Sequence, residues 1–198
     1  MKRRKVSKED ILKKGAEIFS KQGFFLSRVE DITQALSIAK GTFYLYFKNK
    51  EELLGEIIYK LHQEIYEANS KVIEKKQNWD KKFKLLIKKI LEFIRKNIVF
   101  IRVFVQEGLK KGAGFKEHSR FEKIMKLYQK NQKVLSDFFR EGIKKGYLNS
   151  SFSPEELALF FDFLVRSRVT KFIFDKKKVD IKSESKIFYN FFLKGAGR

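Results

Sequence analysis

The 198-residue chain has no cysteine, one proline, one tryptophan and two histidines. Without cysteine there can be no disulfide, no thiolate zinc site and no cysteine nucleophile, and the redox compartment is left open. His62 and His118 fall in separate segments, with neither metal-ligand spacing nor a nucleophile nearby. The glycine-rich stretch GLKKGAG lacks both the Gly-Lys-Ser/Thr ending and the preceding strand of a phosphate loop. Glu92, Glu107 and Asp162 lie in or beside apolar stretches, but Asp162 has Arg166 one helical turn on, which reads as an ion pair. The inventory therefore predicts no enzyme, no cofactor and no metal. Long apolar runs are missing too. The most apolar, Ile98–Val105, is interrupted by Arg102 and is far shorter than a membrane span. The basic start MKRRKVSKED has no apolar core behind it, so it does not read as a signal peptide. A soluble, cytoplasmic protein with no membrane partner is expected.

What is abundant is Lys, Glu, Leu, Ile and Phe, with only 11 glycines. This is the composition of an all-α protein. The 45 Lys and Arg against 24 Asp and Glu give a net charge of +21, which favours a polyanionic partner. That charge is spread widely: residues 1–50 hold 12 basic against 5 acidic side chains, and the rest hold 33 against 19. A general lysine bias accounts for the excess equally well, so charge permits nucleic-acid binding without locating it.

Helix signals divide the chain. Ser7 with Glu9 and Asp10 opens a first helix whose stripe is Ile11, Leu12, Gly15, Ile18 and Phe19; Gly23 closes it, and Phe24 and Phe25 should fold back on the core. Ser27 with Glu30 reads as a capping box for a short second helix carrying Val29, Ile32, Ala35 and Leu36. Ser37 falls in a turn, and Lys40–Phe47 makes a second short helix. Asn49 with Glu52 reads as another box, opening a helix with the stripe Leu54, Ile57, Ile58, Leu61 and Ile65. Two short helices joined by a tight turn are the helix-turn-helix layout, whose second helix enters the DNA major groove. No Gly- or Ser-rich tether follows this part. Helical spacing resumes at Trp79, Phe83, Leu86, Ile87, Ile90, Leu91 and Ile94. Ile98–Val105 could by itself be a buried strand but has no strand-like companion, so it reads as helix. A loop is expected over 108–119, a helix over 121–143, a loop over 146–153 and a strong helix start at Ser153-Pro154-Glu155-Glu156.

Leu157–Val165 is apolar on every side except Asp162, so the helix needs cover on two faces. The last helix, Lys182–Leu193, carries a similar stripe. The expectation is a homodimer in which two such helices from each chain form a four-helix bundle through Leu157, Phe160, Phe161, Leu164, Ile187, Phe188, Phe191 and Phe192. Packing of the same side chains inside one chain is the alternative.

The run KGTFYLYFKNKEELL, preceded by ILKKGAEIFSKQGF, resembles the TetR family of bacterial transcriptional regulators over roughly the first fifty to sixty residues. Two positions depart from that pattern: Ser37 stands where a turn glycine is common, and Ala39 where a Ser or Thr cap is common. The resemblance implies an all-α fold of about nine helices. A three-helix helix-turn-helix DNA-binding head would occupy residues 1–49, and a ligand-binding and dimerisation core residues 50–198. It implies a repressor that binds a palindromic double-stranded operator as a homodimer and is released by a small effector, which the abundance of Phe suggests is apolar or aromatic. The alternative is a ligand-independent architectural DNA binder using the same head.

For the DNA contact, Lys40 and Thr42 open the recognition helix, and Gly41 lets the backbone approach closely. Tyr44 and Tyr46 resemble family positions that touch phosphate or a thymine methyl, and Lys50 resembles a phosphate-binding lysine. Ser27 and Arg28, at the start of the preceding helix, are candidate phosphate contacts. Packing with a wet hydroxyl is the other reading for the two tyrosines, whereas Phe43 and Phe47 should face the core. Lys2–Lys5 could be a minor-groove arm or simply a solubilising tail.

Overall fold

The computed structural model describes residues 6–109, 120–174 and 180–196. Among them are nine α-helices and no strand: α1 Lys8–Gln22, α2 Val29–Ala35, α3 Lys40–Tyr44, α4 Lys50–Ile73, α5 Trp79–Lys96, α6 Ile98–Leu109, α7 Phe121–Lys144, α8 Pro154–Phe174 and α9 Ile181–Ala196. Ile98–Val105 is helix, as expected. The KRRK tail, most of the loop after α6, and His118 lie outside the described residues, as does the side chain of Glu107. The described residues form two compact units, one within Met1–Leu61 and Val99–Ile124, the other within His62–Ile98 and Met125–Arg198.

In the first unit the core gathers Ile11, Leu12, Phe19, Phe24, Ile32, Phe43, Phe47, Leu53, Ile57, Val103 and Ile124. A Cβ on Gly15 would lie 2.5 Å from the Leu53 Cδ2 methyl, so α1 and α4 approach closely here and a larger residue would have to push that side chain aside. Ser7 caps α1 in a reciprocal box with Asp10. Gly23 ends that helix at φ 84°, a conformation that favours glycine. The box expected at Ser27–Glu30 does not form; one residue later only half of such an arrangement is present, where the Arg28 amide donates to Asp31 Oδ2 at 2.7 Å. Ser27 is instead buried, and its hydroxyl donates to the Gly23 carbonyl at 2.6 Å. At the start of α4, Asn49 accepts from the Glu52 amide at 2.8 Å, while the Glu52 carboxylate reaches the Lys48 amide rather than that of Asn49. Phe24 folds onto the core as expected; Phe25 does not, and stands 51% exposed.

The second unit is built on aromatics. Trp79 is fully buried, its ring near-parallel to those of Phe83 and Phe138 at 4.9 and 5.1 Å, and its indole N–H donates to the Phe138 carbonyl. Phe139, Phe161, Phe188 and Phe192 extend the cluster where α5 packs on α8 and α9. Asn69 and Asn131 form a buried amide pair at 2.8 Å. Lys82, also buried, is held by Glu141 at 2.7 Å and by the Ile73 carbonyl.

Four of the eight residues expected at a dimer interface belong to this core: Leu157, Phe161, Phe188 and Phe192 are at most 4% exposed. The sequence shows that α8 is apolar all round, but not which side faces inward. Outward stand Phe160, Ile187 and Phe191, joined by Leu159 and by Phe163 at 71% exposure. Leu164 is half-buried.

Candidate DNA interface

Ser37 carries the turn between α2 and α3 at φ 53°, a strained conformation for a residue with a side chain. The turn delivers α3 with Ala39 as an N-cap that offers no side-chain hydrogen bond. Phe43 and Phe47 point inward, 0% and 2% exposed, and anchor the short helix. Its other face is thereby turned out: Tyr44 is 53% exposed with its ring edge-on to Phe43, and Leu45 is 82% exposed. A Cβ on Gly41 would meet nothing within 4 Å. Nothing among the described residues therefore requires glycine there, although glycine costs about 1 kcal/mol relative to alanine inside a helix.

The remaining candidates divide into outward and inward groups. Lys40 and Arg28 are exposed, and Thr42 is half-buried. Lys40 pairs with Glu30 of α2. The hydrogen bond between them holds the Glu30 carboxyl below its usual range and raises the Lys40 ammonium. An exposed pair of this kind contributes little stability, so a phosphate can take the ammonium over. Tyr46 is half-buried and donates its hydroxyl to the Val6 carbonyl at 3.1 Å, tying down the start of the chain. Lys50 turns inward to the α1–α2 connection: its ammonium donates to the carbonyls of Phe24, Phe25 and Ser27 at 2.9–3.3 Å and lies 4.6 Å from the Phe24 ring centre. The geometry thus gathers Arg28, Lys40, Gly41, Thr42 and Tyr44 as candidate outer contacts, and gives Ser27, Tyr46 and Lys50 roles in bracing the head. Leu45 was missed by sequence reasoning. With Phe43 and Phe47 committed inward, two residues before and two after, helical spacing leaves it no place in the core.

The family model for bacterial regulatory proteins of the tetR family matches residues 11–57, which is the whole helix-turn-helix and the start of α4. Over those residues the chain is similar to the regulators of the tetR family. The HTH-type transcriptional repressor DhaR of Mycobacterium sp. (strain GP1) is 30% identical over 67 residues, 34% of either chain. The fatty acid metabolism regulator protein of Bacillus subtilis is 30% identical over 89 residues, 45% of this chain and 46% of that one. The matched stretches thus span less than half the length of these two relatives. A solved structure of FadR from Bacillus subtilis, in complex with stearoyl-CoA, superposes with a TM-score of 0.79 over 96% of this chain and 99% of its own, at 22% identity. At that identity the likeness is one of fold, and it takes in the helices beyond the head.

Among the described residues no helix is long and apolar enough to cross a membrane, and no cluster of His, Cys, Asp and Glu is placed to hold a metal.

Proposed function

We propose that the chain is a cytoplasmic transcriptional repressor that binds a palindromic operator as a homodimer and is released by a small apolar effector. The observation that supports this most directly is the outer face of α3: Lys40, Tyr44 and Leu45 point away from the core beside a glycine that the chain's own packing does not need. Such a face fits a major groove. Lysine supplies phosphate or base contact, apolar atoms suit thymine methyls, and the bare glycine allows the backbone to come close. Residues 1–49 would form the reading head, and residues 50–198 the effector-binding and dimerising part. The dimer would use the outward side of α8 and α9, through Leu159, Phe160, Phe163, Ile187 and Phe191, a pair of helix faces too apolar to be left in water. Helix α4 runs unbroken from Lys50 to Ile73 and is the natural carrier of an effector signal. The relatives' names, a fatty acid metabolism regulator and a FadR solved with stearoyl-CoA, favour an acyl chain over an aromatic ring as the effector.

Selection of bound sequences from a random duplex pool, at near-physiological salt, tests the reading. The expected product is an inverted repeat with half-sites about one helical turn, roughly 34–36 Å, apart. A pool that stays random, with binding that falls steeply as salt rises, would instead identify an architectural binder drawing on the charge of +21.

A further inference from the structure

Arg102 is the one charged side chain in the run Ile98–Val105. Around it, α6 is committed to apolar contacts: Val103 is fully buried, Ile101 nearly so, and Val99 and Phe100 pack against the core of the first unit. Arg102 is itself half-buried, and its Nε is sealed from solvent without an acceptor. Inward-turned cations elsewhere are matched. Arg120 pairs with Glu56 at 2.5 Å, Lys82 with Glu141 at 2.7 Å and Arg168 with Glu184 at 3.1 Å, while Lys50 has its three carbonyls. Among the described residues Arg102 is the half-buried cation that has neither a carboxylate nor a carbonyl.

A guanidinium in apolar surroundings without a counter-charge is costly, and removing it would normally be favourable. Its planar fork matches the two oxygens of a carboxylate or phosphate, and the bond strengthens where water is scarce. The geometry points to Arg102 as the residue that recognises the anionic end of an otherwise apolar ligand. This rests on the effector reading above and deepens it: the ligand is an amphiphile with a terminal oxyanion, not a neutral hydrocarbon or a cation. The oxyanion is the carboxylate of a free fatty acid or a phosphate of its coenzyme A thioester. Two probes separate these sources.

The test is calorimetric titration of the full-length protein with hexadecanoate, hexadecanoyl-CoA and, as the neutral control, hexadecan-1-ol, all below micelle-forming concentrations. The wild type should bind one of the two anionic probes at least tenfold more tightly than the alcohol. Arg102→Met should lose that preference, with anion affinity falling roughly 10- to 100-fold, the range for hydrogen bonds to a charged group. The affinity for the alcohol should stay unchanged, and Arg102→Lys should recover part of the loss. The ligand-free Arg102→Met protein should melt at or above the wild-type temperature, whereas an arginine serving only the fold would leave a less stable protein. Unchanged anion binding by Arg102→Met, or equal binding of anion and alcohol by the wild type, would overturn the assignment. So would failure of the wild type to bind either anion. Selection from the duplex pool is read on the same preparations: a wild type that prefers the anion but selects no sequence would sink the repressor reading and leave Arg102 as an anion site.

Discussion

Two glycines, Gly41 on the recognition helix and Gly142 on α7, show how differently the two units use a missing side chain. At Gly142 a Cβ would lie 2.6–2.8 Å from the Trp79 indole, which runs along α7 and donates to the carbonyl of Phe138, one turn earlier. That glycine is explained by the chain's own packing. Gly41 faces open space, and no atom of the described residues explains it. The same division holds for the aromatics. Phe83, Phe138, Phe139 and Phe161 are buried against one another, whereas Tyr44 stands out from a five-residue helix that Phe43 and Phe47 already anchor. Packing thus accounts for the interior of the second unit. On the proposed reading the outer face of α3 goes to DNA and the outer faces of α8 and α9 to a second copy.

Several substitutions would sharpen or break this division. The largest effect is expected at the proposed dimer face. Phe163→Glu places a charge on a side chain that is 71% exposed, so the isolated fold should be untouched. A carboxylate in an apolar interface should weaken dimerisation by roughly 100-fold or more. Sedimentation at micromolar concentration should then show monomer for the variant and dimer for the wild type, and an unchanged dimer would remove this face from the interface. Next comes Gly142→Ala, whose added methyl collides with a buried ring. It should cost about 1–3 kcal/mol in denaturant unfolding despite alanine's better helix propensity. A variant as stable as the wild type would show that the Trp79 stack has slack.

The smallest effect concerns pH. Burial opposes ionisation of Glu184, but hydrogen bonds from Lys171 and Arg168 outweigh it and hold the carboxyl below its ordinary value of 4.5. A depressed carboxylate contributes stability that is fully present above its unfolded pKa and is lost as pH falls through the folded one. Glu184→Gln should therefore cost about 1–3 kcal/mol near neutral pH. Its deficit should shrink as pH drops below about 4.5 in parallel melts. A deficit that is constant across that range would mean the contribution is packing, not charge.

Much of this architecture was legible in the sequence because its signals are local. The Ser7 and Ser153 caps, the Gly23 stop, the inward Phe43 and Phe47, and the helical rather than strand state of Ile98–Val105 all follow from spacing within one or two turns. What escaped were the facts that depend on which of two plausible partners wins. The Ser27 hydroxyl could cap α2 or turn back to the end of α1. The chain resolves this by sending the Ser27 hydroxyl to Gly23 and letting Asp31 hold the Arg28 amide. Lys50 looks like a cation for phosphate until the carbonyls of Phe24, Phe25 and Ser27, about 25 positions away, are seen around it. In α8 the apolar residues are evident, but only tertiary packing separates inward Leu157 and Phe161 from outward Phe160 and Phe163. Burial of Lys82 beside Glu141 had no local signal at all, since the two are 59 positions apart.

The central claim, that the outer face of α3 is vacated for DNA, is tested most directly by Gly41→Ala. Thermal unfolding and binding to the selected duplex would be measured on one preparation. The methyl group meets nothing in the free protein, so the melting temperature should stay level or rise slightly, while the backbone's approach to DNA is blocked and specific affinity falls by roughly tenfold or more. Specific binding equal to the wild type's, in a protein that melts as well or better, would contradict the account and turn attention to another face of the head.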